Sequence, residues 1–245
     1  MNKPIFSTAA ATYIVDAANE SHFEWAETIC DEMANSAKAR GTGIAKRSPE
    51  YLRKKMEEGK AIIAFSKEGD WAGFCYIETW DHGRFVANSG LIVHPDHRKS
   101  GIATRIKWRT FELSRRKYPE AKIIGLTTSL AVMKINSDLG YEPVSFSELP
   151  KDDAFWKGCE SCVNFDILTR TNRSNCLCTG MKYDHEEVEN DKKKNKWNFL
   201  KESKIYEGYL KVKQRLLMKR ENKEDSKKAS LLNYFGFKKS IETAS

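Results

Sequence analysis

Ser89-Gly-Leu-Ile-Val-His-Pro-Asp-His-Arg-Lys-Ser-Gly-Ile-Ala-Thr104 joins a buried-type strand, a turn rich in backbone amide donors and the start of a long amphipathic helix. Leu91, Ile92 and Val93 form a short apolar run that Pro95 stops, and the stretch from Arg98 to Ala103 sets main-chain N–H groups where a helix's positive end begins. Gly101 and Ala103 leave the backbone open to close approach, and Arg98 and Lys99 add positive charge at the rim. The spacing predicts an anion cradle built from Arg98, Lys99, Ser100, Gly101, Ile102 and Ala103. It is not a Walker loop, which needs Gly-Lys-Ser/Thr, and it lacks the three glycines of a dinucleotide fingerprint. Gly90, inside an otherwise strong strand, predicts a bulge that leaves a backbone N–H unpaired.

Downstream, Ile102, Ile106, Arg109, Leu113 and Arg116 recur at helical spacing and Pro119 ends the helix. A strand over Ile123–Thr128, a helix over Ala131–Leu139 and the pair Gly140-Tyr141 follow. Upstream, Thr12–Ala17 reads as a first strand, and Phe23, Ala26, Ile29, Cys30, Met33 and Ala37 trace a helical stripe. Ser48-Pro49-Glu50-Tyr51 has the form of a capped helix start. Ala61–Phe65 and Ala72–Thr79 read as strands turned at Glu68-Gly69-Asp70, with a third antiparallel neighbour from Phe85. The expected fold is an α/β (α+β) layer with a mixed, largely antiparallel central sheet flanked by helices.

Composition bounds the rest. The chain has 245 residues, a net charge of +8 and a 40% apolar share, ordinary for a globular protein. Residues 185–245 hold 16 Lys/Arg against 10 Asp/Glu, so +6 of the charge lies in this tail. Three regions are expected: a core over 1–155, a Cys-rich hairpin over 156–184 completing the sheet around the strand-like run Val163–Leu168, and a basic helical tail over 185–245 with a helix from about Lys196 to Arg220. Mixed charge signs on that helix disfavour nucleic acid as a partner, and its apolar positions would pack on the domain or on a second subunit as a homo-oligomer. Ser230-Leu-Leu-Asn-Tyr234-Phe235 faintly resembles a sliding-clamp box with Lys228 at the glutamine position. Neither a membrane span nor a secretion signal stands out, which points to the cytoplasm.

Six cysteines in such a setting argue for thiols or metal rather than disulfides. Cys159-x2-Cys162-x13-Cys176-x-Cys178 has two close pairs, which reads either as a structural zinc site or as reduced thiols packed as small apolar groups. Cys30 and Cys75 read as core residues.

The motif Arg98-x-x-Gly101-x-Ala103, in this order of elements, resembles the acetyl-CoA pyrophosphate loop of the GNAT N-acetyltransferase superfamily over roughly residues 11–170. The resemblance implies a CoA thioester lying along Leu91, Ile92 and Val93, with the Leu91 or Ile92 N–H polarising its carbonyl. The helix after the next strand would flank the CoA arm. Where the family commonly has a tyrosine to reprotonate the leaving thiolate, this chain has Asn136, which can donate a hydrogen bond but is no general acid. The segments RGTGIAKR, FCYIE, FVANSGLIV, GLTTSLAVMKINSDLGY and GC-x-x-CVNFDIL…NR…CLCTGM look like a Bacteroidetes-type acyltransferase subgroup associated with arginine biosynthesis. That implies acylation of glutamate's α-amine by acetyl-CoA or succinyl-CoA.

The residues supply candidates for each role. Glu78, acting through water, is the first candidate general base, with Asn88 and Ser89 on the adjacent strand and His82 nearby. Tyr141 or Tyr76 could replace the missing acid. Arg40, Lys46 and Arg47, three cations within eight residues, invite the carboxylate of a small acidic amine. Two rival functions are acetylation of a protein lysine or N-terminus, and a non-catalytic CoA-binding or scaffold role.

Overall fold

The computed structural model describes residues 12–39, 41 and 46–187. The chain divides into two units, Met1–Asn190 and Asp191–Ser245, and the second lies outside the described residues together with the expected tail helix and the clamp-like segment. Seven strands form one sheet: β1 Ile14–Ala17, β2 Ala61–Phe65, β3 Trp71–Trp80, β4 Phe85–Val93, β5 Lys122–Thr127, β6 Glu142–Val144 and β7 Thr179–Tyr183. Their order is β1-β2-β3-β4-β5-β7-β6, and only the β4–β5 pair is parallel. A parallel pair needs a crossover, and α3 (Ile102–Lys117) supplies it.

Strand alternation separates two apolar layers. Ile63, Phe74 and Tyr76 join the cluster under α1 (Ala26–Ala39) and α2 (Pro49–Glu57), whereas Ile62, Cys75 and Ile77 join the cluster under α3. α1 buries Ala26, Ile29, Met33 and Ala37, a stripe at three- and four-residue spacing. Burial worth about 1.5–3 kcal/mol for a large apolar side chain, more than helix propensity, holds α1 to the sheet. α2 starts where Ser48 Oγ accepts the Tyr51 N–H at 3.2 Å, with Pro49 in the first turn. A third cluster, Phe85, Ala87, Ile124, Phe146, Leu149, Trp156 and Leu168, closes the other end of the sheet beneath α5 (Asp153–Lys157) and α6 (Phe165–Arg170).

One element differs in kind from its expectation. The run Val163–Leu168, which alternates like a strand, forms the start of α6 instead. Leu168 is buried and Val163 stands in solvent, so the i, i+3 pair Phe165 and Leu168 carries the packing. The region completes the sheet through β7, which inserts between β5 and β6, and not through a Cys-rich hairpin. Among the described residues no helix is long and apolar enough to cross a membrane.

Candidate functional site

The turn into α3 forms where expected. After a short turn over Pro95–His97, Lys99 (φ 63°) and Gly101 (φ 85°) take left-handed backbone conformations that bend the chain into α3. Gly101 occupies the N-cap and supplies no side-chain cap, while the Ile102 N–H donates to Ser100 Oγ at 3.4 Å. Ser100 Oγ donates to the His97 carbonyl at 2.7 Å and holds the turn closed. Arg98 turns away from the position expected of it at the rim. Its Nε donates to the Val93 carbonyl (3.2 Å), and its Nη2 reaches Glu32 Oε1 (2.9 Å) and Ser36 Oγ (2.8 Å) on α1.

The bulge is also present. Phe74 pairs with Ile92 but Tyr76 pairs with Ser89, so Gly90 and Leu91 together face Cys75. Gly90 has φ 64°, and a Cβ there would lie 2.4 Å from Tyr76 Cε1 and 3.0 Å from Met33 Cε, which leaves room for glycine alone. β4 pairs with β5 only through Phe85, Val86 and Ala87, whereas the other edge of β5 pairs with β7 from Ile123 to Thr127. Leu91, Ile92 and Val93 therefore have no β5 partner in the sheet, and the turn at Pro95 follows directly after them.

On the α1–α2 face of the sheet, charges converge on Glu78. Arg47 Nη2 lies 3.7 Å and Lys55 Nζ 3.4 Å from its carboxylate, and the Tyr51 hydroxyl donates to it. Arg47 Nε also donates to the Tyr76 hydroxyl at 2.8 Å, and the Tyr51 ring lies beneath both cations, 5.0 Å from Arg47 Cζ and 4.8 Å from Lys55 Nζ. Burial pushes the Glu78 carboxyl above its ordinary range, against the pull of Arg47, and burial lowers the Lys55 ammonium. Lys46 is exposed, its N–H donates to Ser161 Oγ at 3.2 Å, and Arg40 lies outside the described residues. Tyr51 and Lys55 were missed by the sequence reading. Their i, i+4 spacing on one face of α2 was the available signal.

Asn88 and Tyr141 are brought together, but on the α3 side of the sheet. Asn88 Nδ2 donates to the Tyr141 hydroxyl (3.1 Å), and Ser114 Oγ donates to Asn88 Oδ1 (2.8 Å). Both residues are buried, and burial holds the phenol well above its usual pKa. Lys107 Nζ sits 5.5 Å from the Tyr141 ring, and burial lowers its ammonium. This network packs α3 on β4 and gives Asn88 and Tyr141 structural partners. Asn136, on α4 (Leu130–Asp138), donates from Nδ2 to Met181 Sδ at 3.6 Å, while its Oδ1 is buried without a partner.

The zinc expectation finds no support. Among the described residues no group of three or more His, Cys, Asp or Glu side chains is arranged to hold a metal ion. None of the six cysteines is disulfide-bonded. Cys159, Cys176 and Cys178 pack against the third core cluster, and Cys162 Sγ accepts the Asn164 N–H at 3.4 Å. Burial first, then the neighbouring thiols, pushes Cys159 up to about 11, and a hydrogen bond with Cys176 raises Cys178. Three of the four thiols thus lie against apolar side chains, the surroundings of a small hydrophobe.

Residues 30–133, which include the cradle, match the family model of the acetyltransferase (GNAT) family. No curated protein matches the chain. Among solved structures, the chain is similar to N-acetylglutamate synthase from Neisseria gonorrhoeae complexed with coenzyme A and N-acetyl-glutamate, at 16% identity and TM-score 0.50. That match covers 70% of this chain but only 35% of the other. A protein from Mycobacterium tuberculosis in complex with CoA matches at 12% identity and TM-score 0.49, covering 70% of this chain and 98% of that one. Residues 30–133 thus carry the likeness to the GNAT acetyltransferase family, and the described residues share the fold of the Neisseria gonorrhoeae structure.

Proposed function

We propose that the chain transfers an acyl group from a coenzyme A thioester, acetyl-CoA or succinyl-CoA, to the α-amine of a small acidic acceptor such as glutamate. The observation that carries this reading is the cluster Arg47–Lys55–Glu78, set on the face of the sheet that also holds Tyr76 and the Gly90 bulge. Two cations around one buried carboxylate leave a surplus positive charge, suited to an acceptor's carboxylate, and the carboxylate itself is available for the amine's proton.

The donor half fits CoA by three features. The first-turn amides of α3 and Lys99 offer donors and charge to the diphosphate. The Leu91–Val93 stretch of β4, which has no β5 partner, offers the pantetheine arm an extended strand to lie along. The buried Asn136 Oδ1 lacks a donor, a deficit of roughly 1–3 kcal/mol that a pantetheine amide N–H would remove.

In the reaction the neutral amine attacks the thioester carbonyl, a C–N bond forms, the C–S bond breaks, and CoA leaves as the thiolate. The Leu91 or Ile92 N–H, at and beside the bulge, would stabilise the oxyanion. Neutralising a lysine at pH 7 costs about 4–5 kcal/mol and a peptide N-terminus only about 1 kcal/mol; the α-amine of a free amino acid, raised by its own carboxylate, lies between the two and needs a base beside it. The amine's proton passes to Glu78. Asn136 provides no acid, and the thiolate leaves unassisted or takes a proton from Tyr76, whose hydroxyl is held by Arg47.

The glutamate assignment also draws on the Neisseria gonorrhoeae structure, whose bound ligand is N-acetyl-glutamate. The test is thiol release from acetyl-CoA and succinyl-CoA with a panel of free amino acids and with lysine-bearing peptides. Glutamate-dependent release supports the reading. Release with peptides alone replaces it by protein acetylation, and release with no amine overturns it.

A further inference from the structure

The Arg98 side chain takes an assignment different from the phosphate contact its motif position implies. Its Nε and Nη2 are committed to the Val93 carbonyl, Glu32 and Ser36, and Ser36 Oγ in turn donates to Glu32 Oε1. Glu32 and Ser36 lie one helical turn apart, Ser36 is buried, and the Glu32 side chain is only 16% exposed. The charge-assisted contacts are thus held in one geometry, unlike those of a loose surface pair. Nη1 makes no hydrogen bond among the described residues, and the Arg98 side chain is 45% exposed.

Between Glu32 and Ser36 on α1 sits Met33, whose Cε packs on the Gly90 bulge. Met33 shares its core cluster and the bulge contact with Tyr76, whose hydroxyl Arg47 holds, and Arg47 also pairs with Glu78. One guanidinium therefore ties the donor cradle, the end of β4 and the helix that precedes the acceptor cations.

We propose that Arg98 is a positioning residue that couples the donor cradle to the acceptor side through α1. CoA in the cradle fixes the 98–103 loop. Arg98 passes that constraint to Glu32 and Ser36, and α1, through Met33, steadies Tyr76 and the Arg47 that holds it. This rests on the CoA reading above. Arginine suits the role because its planar fork reaches several acceptors at once, which a lysine ammonium does not do with the same rigidity.

The experiment is amide hydrogen exchange on the full chain with and without CoA, in the wild type, Glu32→Gln and Arg98→Lys, with binding followed by calorimetry and folding by thermal melts. At tenfold saturation over Kd, any opening that expels CoA is suppressed about tenfold. The expected result in the wild type is slowing of this order in both 98–105 and 30–37. In Glu32→Gln and Arg98→Lys the loop should still slow, while 30–37 should change less than about twofold. Slowing of 30–37 that survives in both variants would overturn the coupling and assign α1 order to its apolar packing. Slowing of the loop alone in the wild type would overturn it as well. Absence of CoA binding to the folded wild type would remove the CoA reading and the coupling together. Should either variant lose its folded baseline, Glu32→Asp, which keeps the charge, must restore the slowing of 30–37, and its failure to do so would count against the coupling.

Discussion

Replacing Gly90 by alanine loads two separable costs onto one atom. The backbone there has φ 64°, and holding a non-glycine residue in that region costs roughly 1–2 kcal/mol. The added Cβ would also lie 2.4 and 2.9 Å from two carbons of the Tyr76 ring and 3.0 Å from Met33 Cε. Tyr76 is 2% exposed and edge-packed against Tyr51, with its hydroxyl held by Arg47, so the ring can yield only by disturbing those contacts. Overpacking of this kind costs about 1–3 kcal/mol. The sum is about 2–5 kcal/mol, and at about 2–4 °C per kcal/mol for a domain of this size the melting midpoint should fall by roughly 4–20 °C. Gly83 is the control, because it has φ 85° with nothing within 4 Å of its would-be Cβ and carries the first cost alone. Circular dichroism melts of the two variants isolate the steric share. Because the Tyr76 ring must move, Gly90→Ala should also raise the acceptor KM more than it weakens CoA binding. Equal midpoints for the two variants, with an unchanged acceptor KM, would refute the tight bulge and the path from it to Arg47.

Three further outcomes are expected. Glu78→Gln should lower kcat by about 10²–10⁴-fold if the carboxylate takes the amine's proton; the wild-type rate should fall on the acid side with a midpoint above the ordinary carboxylate range, and that limb should vanish in the variant. Arg47→Ala should raise the acceptor KM by about 10–100-fold through loss of a charge-assisted contact of roughly 1.5–3 kcal/mol, with the calorimetric Kd for CoA unchanged. Lys107→Met should raise the melting midpoint at pH 7. The buried ammonium's pKa lies below its unfolded value of about 10.4, so the unfolded chain binds more protons and wild-type stability climbs as pH rises through that interval. The variant's advantage should shrink with pH, and an advantage that does not change up to pH 10 would contradict the burial argument.

The parts of the fold written in local chemistry were legible. Ser48-Pro49 marks a helix start, Gly90 a bulge, and the apolar run ending at Pro95 with Gly101 beyond it a strand-to-helix turn, because each depends on backbone geometry within a few residues. Phe165-Asp-Ile-Leu168 was misread because alternation and a one-turn stripe coincide over so short a run, and only the core beneath Leu168 decides between them. The cysteines show the same limit, since spacing alone does not fix whether thiols face a shared centre or a hydrophobic cluster. The candidate site was half visible. Glu78 and Arg47 were singled out from charge and position, but Lys55 and Tyr51 reach Glu78 only because α2 crosses β3 at that level. Asn88 and Tyr141 were drawn to the site by sequence position, yet the pleat turns Asn88 to the opposite face from Glu78, where it meets Tyr141.

The central claim is that the turn from Arg98 to Ala103 and the first turn of α3 grip the diphosphate of coenzyme A while its thioester arm lies along the Leu91–Val93 stretch of β4. A crystal structure of the chain with CoA tests this directly. The predicted result has diphosphate oxygens within hydrogen-bond distance of main-chain N–H groups at 101–104, with the pantetheine arm along that stretch and one of its amides facing Asn136 Oδ1. A nucleotide bound elsewhere, with those main-chain amides turned to protein or solvent, would contradict it.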